Sequence, residues 1–310
     1  MRVVIVGLGI QGKKRLAIAA GDVVATVDPI ENTAQYRRIE DVPLDNYDAA
    51  LVCTPDQAKL VILRYLLANG KHVLVEKPLL GNDIEDLCEL QELARQHRSV
   101  CYTAYNHRFE PHFVRFKHTL DADVLGRIYT VRLFYGNGTA RDVRNSPWRD
   151  QGCGVLPDLG SHLLDTILYW FGPIDGACRT WRADRFENRG YDRFAFGFHG
   201  PLQVDCEMSL LSWRNTFSAD IYGEKGSAHI SSLCKWGPST FTLRGRVLPS
   251  GRPEEQSATL VCADPTWADE YRHFRELCQT PAENQAGNLD NDIWIQNKLR
   301  ELGAALGAME

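Results

Sequence analysis

The chain lacks any apolar run near the roughly 20 residues a bilayer-crossing helix needs, so no membrane segment is expected. It also lacks a C-x-x-C pair. Its nine cysteines fall singly from Cys53 to Cys278, leave one over in any pairing and match no zinc spacing. Reduced thiols in a cytoplasmic protein and no bound metal are the expectation. Basic charge is not in excess either: the formal net charge of -5 offers no concentrated positive face for nucleic acid. Internal repeats, low-complexity tracts and a continuous linker are all missing. Small-molecule chemistry is the class left standing.

At 310 residues the chain exceeds what one hydrophobic core usually serves, and two domains are expected. The apolar start from Val3 to Ile10 resembles the apolar part of a signal peptide. Only Arg2 precedes it, however, and Lys13, Lys14 and Arg15 lie on its far side, so it is better explained as a first buried strand. Val3-Val6, Val23-Val27, Ala49-Cys53, Val73-Val75 and Val100-Thr103 are near-continuous apolar runs separated by helical patterns. This combination predicts a parallel sheet covered on both faces. Leu60, Leu63 and Leu67 recur at helical spacing up to the stop at Asn69-Gly70. A second helix is expected from Asn82 or Asp83, carrying Ile84, Leu87, Leu90 and Ala94.

Beyond about residue 106 the pattern changes to period-two alternation. Phe194, Phe196 and Phe198 share one face of their run, while Val204, Cys206 and Met208 oppose Gln203, Asp205 and Glu207. An antiparallel sheet with one buried and one wetter face follows. The wetter face is open to a substrate or a partner subunit. Pro238-Glu255 has the composition of a turn-rich strand and loop region, and two late helices are expected at about Trp267-Cys278 and Asp290-Leu306.

Three segments carry chemistry. Gly7-Leu-Gly9-Ile10-Gln11-Gly12 follows a strand and opens a helix, which suits a tight turn, close approach of a pyrophosphate and anion binding at the helix N-terminus. Asp28 ends the second strand sixteen residues past Gly12, where a carboxylate accepts the ribose hydroxyls. Its charge disfavours a 2′-phosphate and no Arg or Lys directly follows it, so NAD is preferred, with NADP kept open by Lys13, Lys14 and Arg15. The other two segments are Glu76-Lys77-Pro78, ending a strand, and Asp158-Leu-Gly-Ser-His162. An imidazole titrates near neutrality, so His162 suits a general base that removes a hydroxyl proton. Lys77, as a cation, would stabilise a developing alkoxide. Asp158 lies four residues before His162 and would share its face if the turn is helical. Plain alternatives stand beside these: a solvated lysine, a histidine in a local hydrogen bond, an aspartate capping a helix. Thr54 and Pro55 end a strand at the carboxyl edge of the sheet, where such folds bind ligands, or simply form a strand-to-helix turn.

The run from Cys53-Thr54-Pro55 through His72-Val-Leu-Val-Glu76-Lys77-Pro78-Leu79 resembles the glucose-fructose oxidoreductase / inositol dehydrogenase (Gfo/Idh/MocA) family. Tyr105-Asn106-His107-Arg108-Phe109 is similar to its segment entering the second domain, and Gly152-Cys-Gly154 to Asp165 to its active-site loop and helix. The resemblance implies a Rossmann doubly wound parallel sheet over residues 1–105. It further implies an α+β domain with an open, mostly antiparallel sheet over 106–310, whose last helix, about 290–306, is a candidate to pack back on the Rossmann domain. The implied activity is NAD(P)-dependent hydride transfer to or from a secondary alcohol or ketone of a sugar, cyclitol or nucleotide sugar. Lys77, Asp158 and His162 occupy the catalytic positions. Gly7, Gly9, Ile10, Gln11, Gly12, Asp28, Thr54, Pro55, Glu76 and Lys77 would line the cofactor, and Asn106, Arg108, Arg149, Asp158 and His162 the substrate. A cis Lys77-Pro78 bond and a homo-oligomer, dimer or tetramer, formed through the second sheet are also implied. The family includes non-enzymatic NAD-binding repressors, and the fold also carries NAD-using glycosidases and bilin-type reductases. Retention of Lys77 and His162 weighs against the first.

Two departures from the family pattern stand out. Arg15 and Lys59 stand where histidines are common near those positions, which are expected to be peripheral to hydride transfer, with the Lys13-Arg15 cluster directed to the pyrophosphate side or to solvent. The interval from Asp28 to Asp48 is short for a helix plus a strand, which predicts an abbreviated adenosine side. Arg141, Arg144 and Arg149 precede the Gly152 loop, either to bind a substrate anion or as a solvated surface beside Asp142 and Asp150. Cys153, between two glycines, is expected there for its size. Asp165, a turn after His162, would orient the ring or cap a loop.

Overall fold

The computed structural model describes residues 1–147, 149–280 and 287–308. The chain divides into two compact units, Met1–Asn106 with Thr266–Gln296, and His107–Pro265 with Asn297–Glu310.

The first unit holds a five-stranded sheet in the order β2-β1-β3-β4-β5, all parallel. Its strands are β1 (Val3–Val6), β2 (Val23–Val27), β3 (Ala49–Val52), β4 (His72–Glu76) and β5 (Cys101–Ala104). The helices are α1 (Ile10–Ala19), α2 (Asp56–Ala68) and α3 (Ile84–Gln96), joined by the later α7 (Thr266–Gln279) and the first half of α8 (Leu289–Ala304). Because side chains alternate across a strand, each strand feeds both faces. Val4, Val6, Ala50, Val52, Val73 and Val75 pack with Leu63, Leu66 and Leu67 of α2 and Leu87 and Leu90 of α3. Val3, Ile5, Leu51 and Leu74 pack instead with Tyr271 and Phe274 of α7. Both faces are therefore dry, which is why the strands are apolar without alternation. Asp83 caps α3 by accepting the Asp86 N–H at 3.1 Å.

The Asp28–Asp48 interval forms neither helix nor strand. It makes two short 3₁₀ turns, Ile39–Asp41 and Leu44–Asn46, and Tyr36 alone bridges to Val27. β2 is consequently the edge of the sheet, where a six-stranded 3-2-1-4-5-6 arrangement would add another strand.

The second unit contains α4 (Pro111–Asp121), β6 (Ile128–Gly136), α5 (Ala140–Arg144), α6 (Ser161–Phe171) and the strands β7 (Cys178–Asp184), β8 (Arg193–Phe198) and β9 (Gln203–Ser209). β10 (Thr216–Gly223), β11 (Gly226–Ser231), β12 (Ser239–Gly245) and β13 (Glu255–Leu260) complete an eight-stranded sheet, ordered β13-β12-β11-β10-β6-β9-β8-β7. Every pairing is antiparallel except β6 with β9. Phe194, Phe196, Val204, Met208, Phe217 and Ile221 bury one face, and Phe113, Phe116 and Trp170 of α4 and α6 stack among themselves in the same unit. The other face is polar and carries a transverse row, Asp205–Arg132–Asp220–His229–Thr242, running from β9 to β12. The end of α8 belongs here: Glu301 Oε1 accepts the Cys178 N–H at 2.9 Å and the Leu302 carbonyl accepts the Thr180 hydroxyl at 3.2 Å.

All nine cysteines are free. Among the described residues no helix is long and apolar enough to cross a membrane, and no group of three or more His, Cys, Asp or Glu is disposed to hold a metal ion.

Candidate active site

In the first unit the chain order reverses between β1 and β3, the point at which open parallel sheets bind ligands beyond their carboxyl ends. The turn after β1 is built by three glycines with different duties. Gly7 has φ +92°, and a Cβ on it would lie 2.7 Å from the Cys53 carbonyl oxygen; a Cβ on Gly12 would lie 1.8 Å from the Gly7 carbonyl oxygen. Both are dictated by the protein's own packing. Gly9 differs, since a Cβ there would meet nothing within 4 Å. Space left open at the head of a helix suits a ligand's close approach. α1 begins just after it, at Ile10, with no side-chain cap and no acidic residue in its first turn, so its N-terminal N–H groups are suited to an anion.

Asp28 closes this turn. Its Oδ2 accepts the Leu8 N–H at 2.7 Å, and its Oδ1 accepts the N–H groups of Ile30 and Glu31 at 2.9 and 2.8 Å. Burial would raise the carboxyl's pKa, but these three N–H donors and the nearby Arg37 guanidinium outweigh it and hold it below the usual value. Arg37, which donates to the Asp28 and Glu31 carbonyls at 3.3 and 3.0 Å, is a cation the residues flanking Asp28 did not reveal.

The lysine triplet is bracketed from behind by Lys59 and Arg15, and the pyrophosphate or solvent side expected of Arg15 is corrected. Lys59, 2% exposed, donates to the Glu76 and Pro78 carbonyls at 2.7 Å each and pairs with Asp56 at 2.7 Å. Arg15, 1% exposed, reaches Glu76 Oε1 at 2.7 Å through Nε and Glu270 Oε2 at 2.6 Å through Nη2, with its guanidinium 4.3 Å from the Trp267 ring centre. It points neither to solvent nor into the glycine turn. Arg15 lies with Gly12 and Ala19 on the buried side of α1, and the carboxylates of buried Glu270 and partly buried Glu76 make a cation tolerable there. The Lys77-Pro78 bond is cis. Thr54 and Pro55 precede α2, with Pro55 at its N-cap position. Asn106 is buried, its amide donating to Thr266 Oγ1 at 2.8 Å.

In the second unit Asp158 and His162 straddle an irregular joint. Leu156–Gly160 is a π-helical turn that runs directly into α6, the kind of widened turn that recurs at functional sites. Gly154 (φ +52°) enters it against Tyr191, whose carbonyl oxygen would lie 2.1 Å from any Cβ. Asp158 pairs with Arg149 at 3.3 Å, both about a third exposed. His162 is 6% exposed and its ring stacks on that of His107 at 4.2 Å and 19°. Tyr135 meets both rings, at 5.4 and 5.6 Å. Burial raises the pKa of the Tyr135 phenol, and the charge of Asp158 adds to it.

Arg108 is held in a fork by Asp165, with Nε–O distances of 3.0 and 2.9 Å and Nη2–O of 2.6 Å. Asp165 therefore ties Arg108 of the 106–109 turn to α6, the neighbouring-loop role of its two expected ones. Arg141 and Arg144 are exposed on α5, while Asp150 accepts the Arg189 and Gly190 N–H groups at 2.6 and 3.0 Å. Of the three arginines, Arg149 is the one beside a candidate catalytic residue. Sequence alone passed over His107 and Lys235, whose Nζ lies 3.0 Å from His107 Nε2.

Residues 1–105 match the oxidoreductase family with an NAD-binding Rossmann fold, GFO/IDH/MocA, and residues 113–229 match the GFO/IDH/MocA C-terminal domain. The chain belongs to this oxidoreductase family, and its first unit is an NAD-binding Rossmann domain. Levoglucosan dehydrogenase of Pseudarthrobacter phenanthrenivorans is 28% identical over 200 residues, covering 59% of this chain and 50% of the relative. The match thus spans half of that protein's length. Trans-1,2-dihydrobenzene-1,2-diol dehydrogenase of Sus scrofa is 28% identical over 281 residues, 88% of this chain and 82% of the relative. Among solved structures, levoglucosan dehydrogenase in complex with NADH superposes with a TM-score of 0.83 at 17% identity, covering 99% of this chain and 97% of that one. GenD2 from gentamicin A biosynthesis, in complex with NAD, gives 0.79 at 18% identity, with 100% and 95% covered. At those identities the likeness establishes the fold.

Proposed function

We propose that the protein is an NAD(P)-dependent dehydrogenase or reductase that interconverts a secondary alcohol and a ketone on a sugar, cyclitol or nucleotide-sugar ring. NAD, when bound, supplies the nicotinamide C4 that accepts or gives the hydride. Gly7, Gly9, Ile10, Gln11 and Gly12 would hold its pyrophosphate, Asp28 its ribose, and Thr54, Pro55, Glu76 and Lys77 the nicotinamide side. The observation that carries the reading is His162: a buried imidazole, held flat by a stacking partner, beside a π-helical turn that presents an aspartate and an arginine.

In this reading His162 takes the hydroxyl proton as the carbon is oxidised and returns it in the reverse direction. Lys77 contributes a cation that stabilises the alkoxide. Asp158 accepts a neighbouring hydroxyl, and Arg149 pairs with Asp158 or with an anionic substituent. Asn106 and Arg108, whose side chains are bonded to Thr266 and Asp165, each take a substrate-binding part within their own unit. The name of the Sus scrofa relative, a dehydrogenase of a ring diol, supports a ring with adjacent hydroxyls.

The test is to incubate the full chain with NAD and NADP against ring alcohols, cyclitols and nucleotide sugars while following nicotinamide absorbance. Reduction of NAD by at least one ring alcohol is expected, with His162→Ala slowing it by about 10²–10⁴-fold. No reduction with any of them, and no NADH oxidation with the corresponding ketones, would refute the assignment. Release of a sugar without nicotinamide turnover would point to a glycosidase instead.

A further inference from the structure

The turn Cys234–Trp236, which joins β11 to β12, is braced at two points against the segment that opens the second unit. Glu110 is fully buried at the head of α4; its Oε1 accepts the Cys234 backbone N–H at 2.6 Å and its Oε2 accepts the Cys234 thiol at 3.2 Å. Next to this brace, Lys235 Nζ lies 3.0 Å from His107 Nε2 and 4.9 Å from the centre of the Trp236 ring. His107 is 2% exposed, and besides His162 on its face it meets Phe113, Phe217 and Trp236 edge-on. Both the lysine and the imidazole are thus held where they meet.

A lysine ammonium donates and cannot accept. With Lys235 charged, the His107 Nε2 it faces is the acceptor and the single proton of a neutral ring falls on Nδ1. A second proton, on Nε2, would abolish the acceptor and set two cations 3.0 Å apart. We propose that Lys235 is a positioning residue: by keeping His107 neutral and in one tautomer, it fixes the plane of His162 and leaves His162 as the sole proton acceptor of the pair. This rests on the assignment of His162 as general base.

The charges of Lys235 and of Asp264 both act on Glu110. Tyr135 of β6 touches both rings, with Asp158 of the π-helical turn acting on it; Glu110 of α4 is turned to Cys234; Arg108 is forked onto Asp165 of α6. Lys235 Nζ stands 3.0 Å from His107 Nε2.

The experiment uses Lys235→Met and Lys235→Arg in the full chain, with ¹⁵N NMR of the imidazoles between about pH 5 and 8. In the wild type His107 is expected to show a protonated Nδ1 and a bare Nε2 across that range. In Lys235→Met it titrates or exchanges tautomers, and Lys235→Arg restores the wild-type pattern. In turnover, Lys235→Met is expected to lower kcat about tenfold or more with KM within about twofold, and to turn a one-proton acid limb of kcat/KM into a two-proton one. A wild-type His107 that carries its proton on Nε2, or that becomes doubly protonated, overturns the proposal, and so does a His107 spectrum unchanged in Lys235→Met. If Lys235→Met does not fold, the wild-type spectrum alone decides. Because that spectrum needs no substrate, failure to find turnover would sink the general-base assignment and leave the tautomer result standing.

Discussion

Arg15 and Lys59 show how differently charges behave according to their surroundings. Each is sealed from solvent and met by two or three acceptors, whereas Arg244 and Glu255 pair at 2.7 Å with 40% and 48% of their side chains exposed. Desolvation depresses the pKa of Lys59 despite the attraction of Asp56. Lys59→Met, close in volume, leaves the Glu76 and Pro78 carbonyls without their buried donor and is expected to cost about 3 kcal/mol in urea unfolding. Arg244→Ala should cost under about 0.5 kcal/mol in the same measurement. Equal losses would mean that burial does not set these energies. Asp28 gives a pH signature. Its folded pKa lies below the ordinary 3.8, so its contribution is present above that value and is lost as pH falls through the depressed one. Asp28→Asn should flatten the acid limb of thermal stability below pH 3.8 relative to wild type. The roles of Arg15 and Lys59 were not legible in the sequence, because Glu270 lies 255 positions from Arg15 and nothing local announces it. Asp28 was legible because strand, turn and carboxylate are neighbours.

Among elements, the glycine turn and α1 separate what folding requires from what a ligand requires. Gly12→Ala drives a methyl into the Gly7 carbonyl and is expected to reduce both thermal stability and NADH affinity, the latter by at least about tenfold by fluorescence titration. Gly9→Ala, with open space ahead of it, should leave stability within about 0.5 kcal/mol while still weakening NADH binding. A Gly9→Ala protein that binds NADH as the wild type does would remove the turn from the cofactor site. The parallel strands could be read directly because they are dry on both faces, and β8 and β9 because they are dry on one. The π-helical turn before α6 could not, since its widening has no periodicity of its own in Leu156–Gly160. His107 meeting Lys235 across 128 positions likewise depends on how the sheet returns.

For the whole molecule, the polar face of the eight-stranded sheet matters most. Three members of its transverse row alternate in sign, Arg132 standing between Asp205 and Asp220, and His229 is bonded to Asp220 at 2.5 Å. Half-exposed Tyr222 and Trp181 add apolar area, Trp181 lying over Gly197. An alternating row can meet its own copy across a two-fold axis with opposite signs opposed. We therefore propose that this face pairs two chains, and Arg132→Glu should shift the mass measured by light scattering from dimer to monomer. A wild-type monomer at micromolar concentration would refute this. The opposite need, to keep chains apart, is visible at β2. That strand ends the five-stranded sheet, and a bare strand edge is a template for any passing chain. Here Gln35 and Tyr36 occupy it: the Gln35 amide oxygen takes the Thr26 N–H at 3.0 Å, and the Tyr36 N–H reaches the Thr26 carbonyl at 3.0 Å. A segment too short for a strand thus acts as a stopper, with one glutamine and one tyrosine occupying the hydrogen-bonding groups a passing chain would need.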